Sequence, residues 1–232
     1  MSRWGEISSS GDAFRAFLQD KGLFRIREEL LSNWIENQTD DQQNADSWMQ
    51  RTFESLLDKD ICTIVNGGTL PYQLALMATG VVYGKYFVQL EDIVDIAAED
   101  PRKGKSNGTL KCTFFDGQQQ VYGLELTDMK HCLSVHTPPG SKFLLLDPLV
   151  HRGIVLLTRN NCRYLGGVVS EVQRKRDSLV KDIMQRAIYR VEGFQQSSGN
   201  AEMDTSRIGN EMIPIGQGIS YWGHEEEEEE NI

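Results

Sequence analysis

The chain has 232 residues, enough for one large domain or two small ones at roughly 150 residues each. With 39% hydrophobic and 25% charged residues it can build a core, which excludes wholesale disorder. The formal net charge is -10, but six consecutive glutamates, Glu225 to Glu230, carry much of it; the rest is only mildly acidic, which excludes a uniformly basic nucleic-acid coat.

The chain opens MSRWGEISSSG, without the apolar stretch of a secretory signal, and no apolar run approaches the ~20 residues of a membrane span. An intracellular protein is expected, in the nucleus, the cytoplasm or both. Cys62, Cys112, Cys132 and Cys162 stand far apart in sequence and are expected to be reduced, buried thiols. Together with His131, His136, His151 and His224 they show no metal-ligand spacing, so neither a metal nor another cofactor is expected.

In chain order, residues 1–11 read as an N-terminal tail. Phe14, Phe17 and Leu18, then Ile26, Leu30 and Trp34, recur at helical spacing on either side of Gly22. After a polar connector, Trp48, Phe53, Leu56 and Leu57 mark another helix, so residues 12–72 are predicted to form a small helical bundle that ends at Asn66-Gly67-Gly68 and Leu70-Pro71. From Lys85 the runs KYFVQLEDIVDIA, TLKCTFFDG, QQVYGLEL, SKFLLL, RGIVLLT and CRYLGGV are rich in β-branched and aromatic residues. Asp116-Gly117 and Pro138-Pro139-Gly140 are turn signals between them. Closing such strands into a five-stranded barrel removes their edges, and the connections are too short for parallel crossovers. Thr127 to Leu133 has the length of one helical turn, expected between the third and fourth strands. Val172, Leu179, Ile183, Ala187 and Val191 then predict an amphipathic helix from about Val169 to Val191. Residues 73–191 are thus a barrel with a closing helix, and 192–232 read as a disordered acidic tail whose polarity breaks only at Met212 to Gly216. The fold class is mostly β with flanking α.

Gly104-Lys105-Ser106 invites a phosphate-loop reading, which fails because the first glycine of that motif would fall at Glu99. No nucleophile elbow, matched triad or functional carboxylate pair is present, so no catalytic residue is expected. Arg102, Lys103 and Lys105, in the loop after the first strand, form with Lys111 a candidate partner or nucleic-acid contact, weighed against an ordinary solvated hairpin. Tyr86, Phe115 and Tyr122 are candidate base-stacking aromatics. Adjacent strand residues face opposite sides, so one of each pair Tyr86/Phe87 and Phe114/Phe115 is assigned to the core.

Lys85 to Ile96, Phe114 to Gly117, Thr137 to Lys142 (TPPGSK), Arg152 to Leu157 (RGIVLL) and Tyr164 to Val169 (YLGGVV) carry a family resemblance. In this order and spacing they resemble the N-terminal module shared by RecQ-mediated genome instability protein 1 and Tudor domain-containing protein 3. The resemblance implies a helical domain followed by an OB-fold, acting as a non-catalytic accessory scaffold that binds and modulates a type IA topoisomerase III in DNA or RNA topology and genome maintenance. A RecQ-type helicase complex is a further implied partner. It also implies that the loop Ala98 to Gly108 approaches the topoisomerase gate. The shortness of that loop, together with Ile213 to Gln217, inclines the resemblance towards the Tudor-protein branch, although no Tudor cage fits after residue 192. The alternative function is an autonomous single-stranded DNA or RNA binding module, which would bind nucleic acid directly and with strong salt dependence.

Overall fold

The computed structural model describes residues 3–36, 45–98, 100–102 and 108–199. Its N-terminal helices are α1 (Arg3–Asp20), α2 (Glu28–Glu36), α3 (Ala45–Leu57) and the single turn α4 (Ile61–Ile64). α1 begins well inside the segment read as a tail. It ends as its sequence dictates: Gly22 takes a left-handed φ of 81°, the Leu23 N–H donates to Leu18 O, and the Gly22 N–H donates to Gln19 O. This is the Schellman closure that a glycine after the last turn favours. Phe14 and Leu18 lie one turn apart on the buried face and meet Leu31, Phe53 and Leu56, with the Trp34 ring edge-on to Phe14 at 6.0 Å.

The sheet contains β1 (Thr79–Val81), β2 (Lys85–Asp95), β3 (Leu110–Phe115), β4 (Gln120–Glu125), β5 (Lys142–Leu146), β6 (Leu149–His151), β7 (Ile154–Leu157) and β8 (Cys162–Gly166). β2 pairs with β3 on one side and β5 on the other, β3 with β4, and β4 with β7 in parallel. β7 runs on into β8, which pairs back with β5 and closes the ring. β5 and β6 are halves of one strand, bent where Asp147 takes a φ of 41° before Pro148. β7 and β8 are halves of its hairpin partner, parted by a turn in which the Asn161 side chain accepts from Thr158 N and donates to Leu156 O. The eight strands therefore reduce to the five of an OB-fold barrel, with β1 added along the edge of β6. Between the third and fourth barrel strands the Met129 carbonyl accepts from Cys132 and Leu133 N–H, a single turn as the segment length suggests. The closing helix α5 (Ser170–Gly199) outlasts its predicted end at Val191. The described residues divide into two units, one up to Gln185 and a second from Arg186 to Gly199.

Strand β2 supplies both cores. Val88, Leu90 and Ile93 point into the barrel with Phe114, Phe143 and Val155, while Phe87 joins the helical cluster. The period-two alternation that normally separates core from solvent here separates two cores, because the helices cover the outer face of the barrel. Polar bonds register the two layers: Gln89 Oε1 accepts from Ile61 N at 3.0 Å, and Thr69 Oγ1 donates to Phe87 O at 2.6 Å.

Gly22 sits at this junction, where an added Cβ would lie 2.7 Å from Leu144 Cδ1 and 3.1 Å from Phe87 N. Gly22→Val is expected to lower stability by about 2 kcal/mol or more, since a left-handed L-residue alone costs roughly 1–2 kcal/mol. Urea unfolding measures it, and a midpoint equal to wild type would mean the α1 turn carries no strain.

Candidate partner and nucleic-acid interface

The loop between β2 and β3 folds back on its own root: the Asp95 N–H donates to Pro101 O at 2.8 Å, and Ile96 N–H to Thr109 O at 2.9 Å. This return places Arg102 over Asp92, beside the bulge where β2 slips register against β3. Arg102 grips the Asp92 carboxylate with both terminal nitrogens, at 2.7 and 2.9 Å, and Arg176 Nε of α5 donates to the same carboxylate at 3.1 Å. Burial pushes the Asp92 carboxyl up, but the two guanidiniums outweigh it and hold the group below its ordinary range. The pair of arginines is about four-fifths to three-quarters buried, so this is a partly desolvated bidentate clamp rather than a solvated surface pair. Arg102 therefore serves as the anchor of the loop. Lys103 and Lys105 lie outside the described residues.

The remaining candidates fall on the barrel surface. Lys111 is exposed on β3, and its ammonium stands 4.6 Å from the centroid of the Tyr122 ring on β4. Tyr122 is 46% exposed and free to meet a base or a partner. Phe115, on the same outward side of β3, packs instead against the helical core. Tyr86 packs against the barrel core and donates its hydroxyl to Tyr83 O at 2.7 Å. The expected split of Phe114/Phe115 and Tyr86/Phe87 into one core and one outer ring holds in direction, but the outer rings are covered too. Of the three candidate rings Tyr122 alone is exposed, where a stacking platform for successive bases uses several.

The four cysteines differ in burial. Cys112 and Cys162 are buried and Cys132 half-buried, whereas Cys62 is exposed, which corrects the expectation that all four are buried: Cys62 lies on the solvent side of the short α4 turn. Desolvation pushes the Cys112, Cys132 and Cys162 thiols up, away from the reactive thiolate. Among the described residues no three His, Cys, Asp or Glu side chains gather as a metal site. Nor is any described helix long and apolar enough to cross a membrane.

Reading the sequence missed three residues, two at the loop root and one at the junction of helices and barrel. Asp92 and Arg176 are 84 positions apart, and nothing in spacing or periodicity links them. Lys142, buried in a strand, donates to Leu57 O at 3.0 Å and to Gly140 O; it belongs to the TPPGSK run, which carried the resemblance without disclosing this role.

The family model described as RMI1, N-terminal OB-fold domain, matches residues 97–179, from the β2–β3 loop into α5. Residues 97–179 thus resemble the RMI1 N-terminal OB-fold domain, and the barrel they help to build has the OB-fold topology. RecQ-mediated genome instability protein 1 of Arabidopsis thaliana is 31% identical over 140 residues, 56% of this chain and 21% of that protein. Its namesake in Oryza sativa subsp. japonica is 29% identical over 145 residues, 60% of this chain and 17% of that protein. The Danio rerio protein of the same name is 24% identical over 168 residues, 60% of this chain and 32% of its own length. The chain thus spans between about a sixth and a third of the length of these RMI1 relatives. All three bear the genome-instability name, so they do not support the inclination towards the Tudor-protein branch. Loop length was a weak guide to that choice, because surface loops accept insertions and deletions that the barrel does not.

Proposed function

We propose that the chain is a non-catalytic accessory scaffold of genome maintenance that docks on a type IA topoisomerase III and modulates its handling of DNA or RNA, in the nucleus, the cytoplasm or both, and in company with a RecQ-type helicase complex. The observation that carries this reading is the match to the RMI1 OB-fold domain, on a barrel whose outer face is occupied by its own helices. Two of the three candidate stacking rings, Tyr86 and Phe115, are packed against the cores, which favours protein docking over the alternative of an autonomous single-strand binder. In this reading the barrel docks, Arg102 fixes the root of the loop, and Lys103 and Lys105 contribute the charge that faces nucleic acid.

The test separates these roles. Lys103→Ala with Lys105→Ala is expected to preserve the complex in a pull-down with purified topoisomerase III, to lower stimulated strand passage, and to reduce the salt slope of nucleic-acid binding by up to about two phosphate contacts. Asp92→Asn is expected to lower strand passage as well while leaving that slope intact, because it frees the loop root without removing a loop lysine. Tight, steeply salt-dependent binding of single strands by the isolated chain, with no capture of topoisomerase, would replace this reading with the alternative.

A further inference from the structure

We infer that the groove at the foot of the β2–β3 loop receives an arginine side chain from the docked topoisomerase, an inference that rests on the docking reading above. The groove encloses about 280 Å³ between the returning loop at Gly108 and Thr109 and the segment that follows β4. Small-molecule sites usually span roughly 300–1,000 Å³, so this one is scaled to a single long side chain rather than to a cofactor. Leu110, Leu126, Leu133 and Val135 form its apolar wall, and Leu126 is left 57% exposed at the rim. Glu125 and Asp128 add carboxylates to the same lining, with Asp95 buried behind Gly108, and Lys130 adds one ammonium.

An apolar wall beside several carboxylates is complementary to a side chain with an aliphatic stem and a cationic fork, and arginine fits it better than lysine because its five donors reach more than one carboxylate. The acceptors are held in place. Glu125 takes Leu110 N–H at 3.0 Å on one oxygen and Met129 N–H at 2.7 Å on the other, and Asp95 takes Ala97 N–H at 3.0 Å. Each such oxygen can accept a second hydrogen bond. Asp128 has Arg159 at 3.7 Å and Lys130 at 4.0 Å, long contacts between exposed side chains. The same carboxylates repel phosphate, so the occupant comes from a protein and not from the nucleic acid that the loop lysines attract. The groove and the loop thus divide the work: one takes a cation of the enzyme, the other meets its substrate.

The experiment uses the full chain and the purified topoisomerase. Leu126→Lys and Asp128→Lys each place an ammonium at the groove, and each is expected to weaken the complex by about tenfold, the scale of losing one charge pair at an interface. Tyr83→Lys, on an exposed tyrosine elsewhere on the barrel, is expected to bind as wild type, and equal urea midpoints show that all three variants are folded. Independently of the enzyme, N-acetyl-arginine amide is expected to shift the amide resonances of Leu126 to Val135, and its neutral citrulline counterpart is not. Wild-type affinity in both groove variants, with no arginine-specific shifts, overturns the groove inference and leaves docking intact. Failure of wild type to bind the topoisomerase overturns the docking reading and, with it, the enzyme as the source of the arginine.

Discussion

Asp116→Ala is expected to destabilise the chain by about 3 kcal/mol or more, since each buried donor left without its partner costs roughly 1–3 kcal/mol. The Asp116 side chain is fully buried at the hairpin between β3 and β4, and its two oxygens accept four hydrogen bonds. Oδ1 takes the N–H groups of Gln118 and Gln119 at 2.8 and 2.7 Å, which shapes the turn. Oδ2 takes Leu70 N–H at 3.0 Å, which ties the connector from the helices to the barrel, and the Gln119 amide at 3.3 Å. Alanine would strand three backbone donors at once. Asp116→Asn keeps the shape and one acceptor oxygen, so its loss is expected to fall between alanine and wild type. Urea unfolding at neutral pH gives both numbers, and a loss below about 1 kcal/mol for alanine would show that water replaces the carboxylate without penalty.

The Asp116-Gly117 turn was legible because its chemistry is local: a short acceptor before a glycine announces a hairpin wherever it occurs. The strands and the closing helix were legible through periodicity, and the single turn after β4 through the length of its segment. What stayed hidden depends on contacts between distant residues. Asp147 bends one barrel strand into β5 and β6 through a left-handed φ of 41°, a conformation that nothing in the run SKFLLLDPLV enforces by itself. Alternation correctly told that Phe115 and Phe114 face opposite ways, but not that a helical layer waits on the outer side. Arg102 read as a free cation because its partner, Asp92, reaches it only once the loop folds back.

The residues that carried the family resemblance prove to be architectural. Ser141 of the TPPGSK turn donates to Gly167 O at 3.1 Å, so the two diagnostic runs meet in space. Gly167, at a φ of 83°, lies so close to the end of α3 that an added Cβ would stand 2.1 Å from Leu57 O. A side chain there would push the helix off the barrel. These runs mark the fold because they build the junction of helices and barrel, and for that same reason they say little about what the surface binds.

At the centre of this junction, Lys142→Met is expected to change how stability depends on pH. The Lys142 ammonium is buried beneath the last residue of α3 and donates to Leu57 O at 3.0 Å and to Gly140 O at 2.6 Å. A cation at the C-terminal end of a helix meets the favourable end of its dipole, yet removal from water outweighs this and the nearby Asp60, Asp58 and Glu91 carboxylates, pulling the lysine from 10.5 down to about 8. In the unfolded chain it returns to its ordinary value, so between about pH 8 and 10.5 the unfolded state holds more protons than the folded one, and stability rises with pH across that window. The rise amounts to about 3 kcal/mol at 1.36 kcal/mol per pH unit. Neither hydrogen bond is lost on deprotonation, because a neutral amine still has two N–H donors for two carbonyls. Methionine fills the space without a charge and leaves both carbonyls unpaired, so the variant is expected to be less stable at pH 10 and to lack this lysine's pH dependence. The difference in unfolding free energy, wild type minus Lys142→Met, is then flat below about pH 8 and climbs towards pH 10.5. Urea titrations of the two proteins at half-unit pH steps measure that difference directly, and other lysines, tyrosines and thiols cancel from it. Two parallel stability curves from pH 7 to 10.5 would mean that Lys142 stays hydrated in the folded chain and does not fasten α3 to the barrel.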